Sequence, residues 1–474
     1  MDLSQFMMMR HELLLTLLAV LYLLLQLNIP EEKEKQTNYW VIGLFAIATM
    51  IGFLPASTGT LFGGMYQNTD LTILMKNVLN IGVLIVFLQS ASWLNADPNN
   101  QSRFAEYYLL LMSTLIGMNF MISAGDFLMF YLGLELATIP LASLVAYNLY
   151  KSRSSEAGVK LILTAAMSSG VALFGISLLY GANGAMYFDD MAASVGNSNL
   201  EALGAIFFFS GLAFKISIVP FHFWTADVYE GAPINVTAYL SVVSKGAATF
   251  ILVILLFKVF GSVAELWKDL VYVTAVLTMT VGNLFAIRQT NIKRFLAFSS
   301  IAQAGFLFLG VISGTQMGMA TVIYFMLIYI FSNLGAFGVI SAIANVSGKE
   351  NISDYNGLYA TNPRLSLVML VSLFSLAGIP PVAGFFGKFF LFTAAASQEL
   401  YLLVFIAVVN AVISLYYYLL VVKAMFINKS ENPIARVESD MFIKVSLIIC
   451  VAGIFVTGFA SSIYSYIHAV SWGM

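Results

Sequence analysis

The chain has 474 residues, of which 60% are hydrophobic and only 10% charged, with a formal net charge of −2 and one cysteine. Soluble domains carry roughly 25% charged residues, so this is the composition of an integral membrane protein embedded in a lipid bilayer, with no soluble catalytic domain. No block of like charge offers a nucleic-acid arm; Cys450 alone can form neither a disulfide nor a cysteine cluster, and His11, His222 and His468 are too scattered for a metal site.

At about 20 apolar residues per crossing, fourteen spans are predicted along an all-α polytopic chain. Three come first, over 12–29, 39–56 and 70–94. The first is followed by EEKEK and lacks the basic flank, short core and small-residue cleavage site of a signal peptide, so it reads as a retained helix. Next come 105–123, 126–149, 156–181, 201–228 (broken at Pro220) and 234–260. Five more cover 265–287, 294–313, 317–345, 364–397 (broken at Pro380–Pro381) and 400–427, and the last covers 441–468.

Orientation follows from the basic residues. An even span count places both termini on one side. Fifteen lysines and arginines fall in the loops of the opposite side, among them Lys33, Arg103, Lys160, Arg288 and Arg294. The termini side holds Arg10, Lys76, Lys258 and Lys268, so the positive-inside rule puts both termini outside the cytoplasm. Three lysines remain inside spans: Lys215, Lys245 and Lys388.

A repeat is visible in the breaks. The seventh and twelfth spans are each interrupted by proline near a lysine, and the two cross in opposite directions. That is the signature of inverted repeats whose site lies where broken helices meet. The predicted units are 1–100 with three helices, 101–262 and 263–428 as five-helix repeats, and 429–474 with a last helix.

The chemistry gathers at these interruptions. Gly211–Trp224 reads GLAFKISIVPFHFW, and a lysine facing hydrocarbon costs about 2.5–3.5 kcal/mol even on lenient scales. Pro220 removes a backbone donor, which is tolerated at that depth only beside protein or a water-lined cavity. The bland alternative is a snorkelling lysine beside a packing kink. Glu135, in YLGLELATIPL, lies nine residues past Asp126 and is the acid expected to pair with Lys215; a fixed structural ion pair is the alternative. Lys245 precedes Gly246, Ala247 and Ala248, and Lys388 follows the double proline beside Gly384 and Gly387. Desolvated lysines can exchange protons near neutral pH, so one acid, three lysines and two breaks read as a proton relay. His222 is a further candidate shuttle, or a structural histidine in the unwound turn. Ser299, Ser300 and Gln303, and Thr164, Ser168 and Ser169, either line water or pack helices; Asp227 and Glu230 either gather protons or sit in a solvated loop. No phosphate loop, nucleophile triad or pair of haem histidines is present, so no cofactor is expected in this chain.

Three stretches carry a resemblance: PFHFWTADVYEGAP (220–233), QTNIKRFLAFSSIAQAGF (289–306) and SLAGIPPVAGFFGKF (375–389). From about residue 100 onward the chain resembles the antiporter-like membrane subunits of respiratory complex I, nearest their N-type branch. The resemblance implies a fourteen-span, proton-translocating subunit of the bacterial inner membrane, with Glu135, Lys215, Lys245 and Lys388 as its ionisable axis. It also implies partners: an M-type antiporter-like subunit, small membrane subunits, and redox subunits that hold NADH, FMN, iron–sulfur clusters and quinone. Departures separate this chain from other branches. Tyr329 and Asn333 in YIFSN stand where L, M and Mrp-type relatives usually carry histidine, often with lysine. M-type subunits typically have glutamate in place of Lys388, and many relatives have histidine in place of Gln303. No chain follows Met474 to form an L-type lateral helix. A subunit of a Mrp-type sodium/proton antiporter and an inert membrane scaffold are the competing readings.

Overall fold

The structure, a computed structural model, describes residues 3–28, 34–96, 103–196 and 198–471, so part of the EEKEK separator and the unit boundary at residue 100 lie outside the described residues. It is built from helices α1 (Arg10–Asn28), α2 (Glu34–Gly52), α3 (Asp70–Ala96), α4 (Phe104–Ile122), α5 (Phe127–Val145) and α6 (Ser152–Asn183). The first broken span is α7 (Asn199–Ile216) with α8 (Phe223–Gly231), followed by α9 (Ile234–Val259). Then come α10 (Ala264–Ile287), α11 (Ile292–Ser313) and α12 (Gln316–Ser347). The second broken span is α13 (Pro363–Ala377) with α14 (Ala383–Ala396), and α15 (Tyr401–Phe426), α16 (Met441–Phe459) and α17 (Ser461–Val470) complete the chain.

Among the described residues, twelve helices are long and apolar enough to cross a membrane. The halves of the second broken span fall short singly: at 1.5 Å per residue, α13 and α14 reach about 20 Å each, against a hydrocarbon core of about 30 Å. Two features depart from the sequence reading. The predicted last span, 441–468, is interrupted at Ala460 between α16 and α17. A two-stranded antiparallel hairpin, β1 (Gly59–Leu61) with β2 (Tyr66–Asn68), sits between α2 and α3, with Thr60 opposite Gln67.

Burial sorts the helices into a centre and a rim. α9, α11 and α12 are enclosed on nearly every side, whereas α5, α6, α7, α10 and α15 leave more than half of their most apolar stretch outside the core. A helix apolar all round belongs in the interior, and these three central helices carry the buried Lys245, Ser299, Ser300, Gln303 and Asn333.

Small residues let neighbouring helices close up. At the α4–α5 contact, a Cβ added to Gly117 would lie 2.4 Å from the Ala137 nitrogen, and one on Gly133 would lie 2.6 Å from the Met121 nitrogen. The obstacles are backbone, which cannot step aside. Gly117→Val is therefore expected to destabilise the subunit by about 1–3 kcal/mol and to lower its unfolding temperature in detergent. Gly43→Val, where a Cβ meets nothing within 4 Å, is expected to leave that temperature unchanged.

Candidate functional site: a row of lysines between two helix breaks

The first break is a compact turn whose backbone groups are satisfied locally. α7 ends at Ile216, Ser217 takes a left-handed conformation at φ 68°, and the chain passes through Pro220 to α8. The Val219 amide donates to Thr278 Oγ1 of α10 at 3.1 Å, and Trp224 Nε1 donates to the Phe214 carbonyl at 3.0 Å, bridging the gap. Non-helical backbone at this depth is sustained only by such partners.

Lys215 lies in the last turn of α7, and its Nζ donates to Thr138 Oγ1 of α5 at 2.5 Å. Thr138 stands three residues after Glu135, so both occupy one face of α5. The expected ion pair is not made: no Glu135–Lys215 contact occurs within 4 Å, and Glu135 acts on Lys215 through space while lying beside Tyr131. The sequence placed the acid and the lysine on neighbouring helices but could not fix their rotational register, and the register gives Lys215 to the hydroxyl. Leu134, Thr138, Ser168, Ser169, Lys215 and Ser244 are among the residues that line a cavity of about 30 Å³. At 10–15 Å³ per molecule that is room for about two waters. It runs from Lys215 to the residue preceding Lys245. Thr164 lies outside its lining and donates to the Lys160 carbonyl of its own helix.

Lys245 is 2% exposed and opens the α-helical second half of α9, directly after a π-helical turn at Leu240–Ser244. Such turns are rare and often mark functional positions; this one has no sequence signature and was not anticipated. Lys245 Nζ donates to Ser300 of α11, to Oγ at 3.0 Å and to the carbonyl at 3.1 Å. Asn333 Nδ2 of α12 donates to Ser241 Oγ within the π-turn at 2.7 Å and to Tyr329 Oη at 3.2 Å.

The second break differs in its chemistry. α13 ends at Ala377, Gly378 turns left-handed at φ 86°, and Lys388 of α14 folds back so that Nζ donates to the Ala377 carbonyl at 2.9 Å. A helix C-terminus presents unpaired carbonyls and partial negative charge, so it suits an ammonium. Lys388, 4% exposed, also lies over the Phe306 ring, 4.6 Å from its centre. The next carbonyl back, Leu376, accepts from Gln303 Nε2 at 3.0 Å. Gln303 also donates to Tyr418 Oη at 3.1 Å, and Tyr418 Oη lies 2.5 Å from Ser299 Oγ, beside Ser300. Protein hydrogen bonds and two peptide steps, Ser300 to Ser299 and Leu376 to Ala377, thus connect Lys245 to Lys388. Tyr418 was not singled out from sequence, since tyrosine is abundant here.

His222 is 6% exposed at the start of α8, its ring tilted against Phe223 at 4.5 Å between centres, with Nδ1 unpartnered. No hydrogen bond joins it to Lys215 among the described residues. Asp227 and Glu230 are not in a free solvated loop: Arg294 bridges them at 2.7 and 3.0 Å, Lys160 meets Asp227 at 2.9 Å, and Arg153 meets Glu230 at 3.7 Å.

A further buried cluster lies near the N-terminus. Lys76, assigned above to a termini-side loop, sits six residues into α3, fully buried, with Nζ 2.6 Å from Glu12 Oε1. Tyr66 Oη bridges the two, accepting from Lys76 at 2.8 Å and donating to Glu12 Oε2 at 3.0 Å. Glu12, 2% exposed, is thus an acid enclosed by the helices.

Comparison with known proteins adds a family. The profile described as NADH:quinone oxidoreductase/Mrp antiporter, TM matches residues 124–414. The chain is 51% identical over 465 residues to NADH-quinone oxidoreductase subunit N of Phocaeicola vulgatus, covering 98% of each. It is 38% identical to NAD(P)H-quinone oxidoreductase subunit 2 of Nostoc, covering 88% of this chain and 81% of the relative. Among solved structures, a chain of respiratory complex I from Thermus thermophilus aligns with a TM-score of 0.80 at 26% identity, covering 96% of this chain and 98% of that one. A chain of the Mrp complex from a Dietzia species aligns with a TM-score of 0.86 at 20% identity, covering 99% and 97%, which is a likeness of fold alone.

Proposed function

Since the chain belongs to the NADH:quinone oxidoreductase/Mrp antiporter membrane family, we propose that it is the proton-translocating N subunit of a complex I-type NADH-quinone oxidoreductase, driven by electron transfer in partner subunits. The observation that carries this reading is the treatment of the three lysines. Each sets its ammonium against neutral oxygens, Thr138 Oγ1, Ser300 Oγ and the Ala377 carbonyl, rather than in a fixed ion pair. A hydroxyl or carbonyl can hold the charged form and release the proton without leaving a counter-charge stranded. A permanent salt bridge serves that exchange poorly.

In this reading Glu135 sets the electrostatic hold on the proton of Lys215. Redox-driven displacement of the carboxylate weakens that hold, and the proton passes by the small cavity to Lys245. From there it continues through Ser300, Ser299, Tyr418 and Gln303 toward Lys388 and outward. A tenfold change in proton affinity is worth about 1.36 kcal/mol. A hundredfold change, about 2.7 kcal/mol, exceeds the roughly 2.3 kcal/mol needed to move one charge against 100 mV.

The fourteen-span count, the four units 1–100, 101–262, 263–428 and 429–474, and the inverted repeats belong to the same proposal. They are supported by matching close helix pairs, α4 with α5 and α10 with α11, and by the two left-handed breaks. So do the bacterial inner membrane, termini outside the cytoplasm, an M-type neighbour, and redox cofactors held in partner subunits.

Affinity purification of the tagged chain in mild detergent tests the assignment. Co-purification of subunits that oxidise NADH is expected; recovery only with subunits of a cation antiporter would instead favour the Mrp-type reading, and recovery alone would favour an inert scaffold.

A further inference from the structure

We propose that Arg294 is a positioning residue, a clasp that ties the broken helix around Lys215 to the helix that holds Lys245. The inference rests on the relay reading above and extends it to a residue outside the lysine row.

The clasp has defined attachment points. α8 is a nine-residue segment with non-helical backbone at both ends: the break through Pro220 before it, and Ala232 (ψ 157°) with Pro233 after it. On one side its Trp224 reaches back across the break to α7, the helix that ends beside Lys215. On the other, Asp227 and Glu230 both engage Nη1 of Arg294 at 2.7 and 3.0 Å. Arg294 belongs rigidly to α11, because Asn291 caps that helix by accepting from the Lys293 and Arg294 amides. Lys293 adds a tie to the Ala232 carbonyl at 3.3 Å. Six residues further along α11, about 9 Å of rise, Ser300 supplies both oxygens that hold Lys245.

A short helix flanked on both sides by non-helical backbone moves as a body. When Lys215 gains or loses its proton, any shift of the break is passed to α8, and Arg294 passes it to α11, hence to the acceptors of Lys245. Without the clasp the carboxylates of α8 keep Lys160 and Arg153 of α6 but lose their tie to α11, and the coupling from the Lys215 break to the acceptors of Lys245 weakens, although each site stays intact. A guanidinium is suited to this place because it stays charged while a single nitrogen, Nη1, meets both carboxylates.

The test is made on the complete complex in vesicles, with assembly, quinone reduction and protons moved per electron measured together. Arg294→Gln is expected to assemble and reduce quinone, with protons per electron falling to half of wild type or less. Arg294→Lys is expected to fall between the two, and Asp227→Asn added to Arg294→Gln is expected to bring no further loss. An unchanged proton ratio in Arg294→Gln overturns the proposal. So does a loss of quinone reduction in proportion to lost assembly with the ratio preserved, since that is a structural role only. Should Arg294→Gln not assemble, an assembled Arg294→Lys with a wild-type ratio overturns it equally. Lys215→Ala in the same vesicles separates the failures: normal pumping there removes the relay reading itself, whereas lost pumping there with a normal ratio in Arg294→Gln removes the clasp alone.

Discussion

Replacing Lys245 with methionine is expected to reduce proton pumping at least tenfold while leaving the subunit assembled. The side chain is enclosed on all sides in α9, so a flexible apolar residue of similar length fills its space, and the fold tolerates the exchange. Ser300 Oγ keeps its own acceptor, the Ala297 carbonyl, so no hydroxyl is orphaned by the loss of the ammonium. What disappears is the ammonium that stands between the Lys215 cavity and the Ser300–Ser299–Tyr418–Gln303 connection. Lys245→Arg sharpens the test, because a guanidinium stays charged and cannot release its proton. If charge alone mattered, arginine would restore pumping; the relay predicts that it does not. Dye-detected acidification of vesicles, normalised to assembled complex, reads both variants.

The second large effect is expected on stability, at Glu12. Lys76 is fully buried and Glu12 nearly so, and removing one member of a buried pair strands the other charge at a cost of about 3–5 kcal/mol. Proteins are stable by only about 5–15 kcal/mol. Glu12→Ala is therefore expected to deplete the assembled complex severely on native gels, because Lys76 retains only the Tyr66 hydroxyl. Glu12→Leu combined with Lys76→Met removes both charges and is expected to recover most of the assembly. Normal assembly of Glu12→Ala alone would show that this pair does not hold the N-terminal helices in place.

These two lysines also mark what could be read from the sequence. Lys215, Lys245 and Lys388 were legible because an ammonium and a broken helix are both costly in hydrocarbon, so they stand out against apolar runs without knowledge of any contact. The spans were legible for the same reason, and each predicted span has a helix at its place. Lys76 was misread because it lies near a helix end, where a lysine ordinarily snorkels to water; only packing against α1 and the β-hairpin encloses it. The partner of Lys215 was misassigned because the rotation of α5 against α7, which presents Thr138 rather than Glu135, is set by side-chain fit and not by residue type. The π-turn before Lys245 and the bridging role of Tyr418 leave no pattern in composition or period. Both arise when distant helices close around polar groups. Asp227 and Glu230 looked like loop acids because Arg294, 67 and 64 residues away, is far off in the chain.

The central claim is that a proton held by Lys215 is the one the subunit moves. Its most direct measurement is proton translocation by reconstituted complex carrying Lys215→Ala, with quinone reduction and assembly measured in the same vesicles. The account predicts assembled complex whose proton uptake per electron falls well below wild type. Wild-type pumping at equal assembly would contradict it and leave the lysine row as inert scaffold.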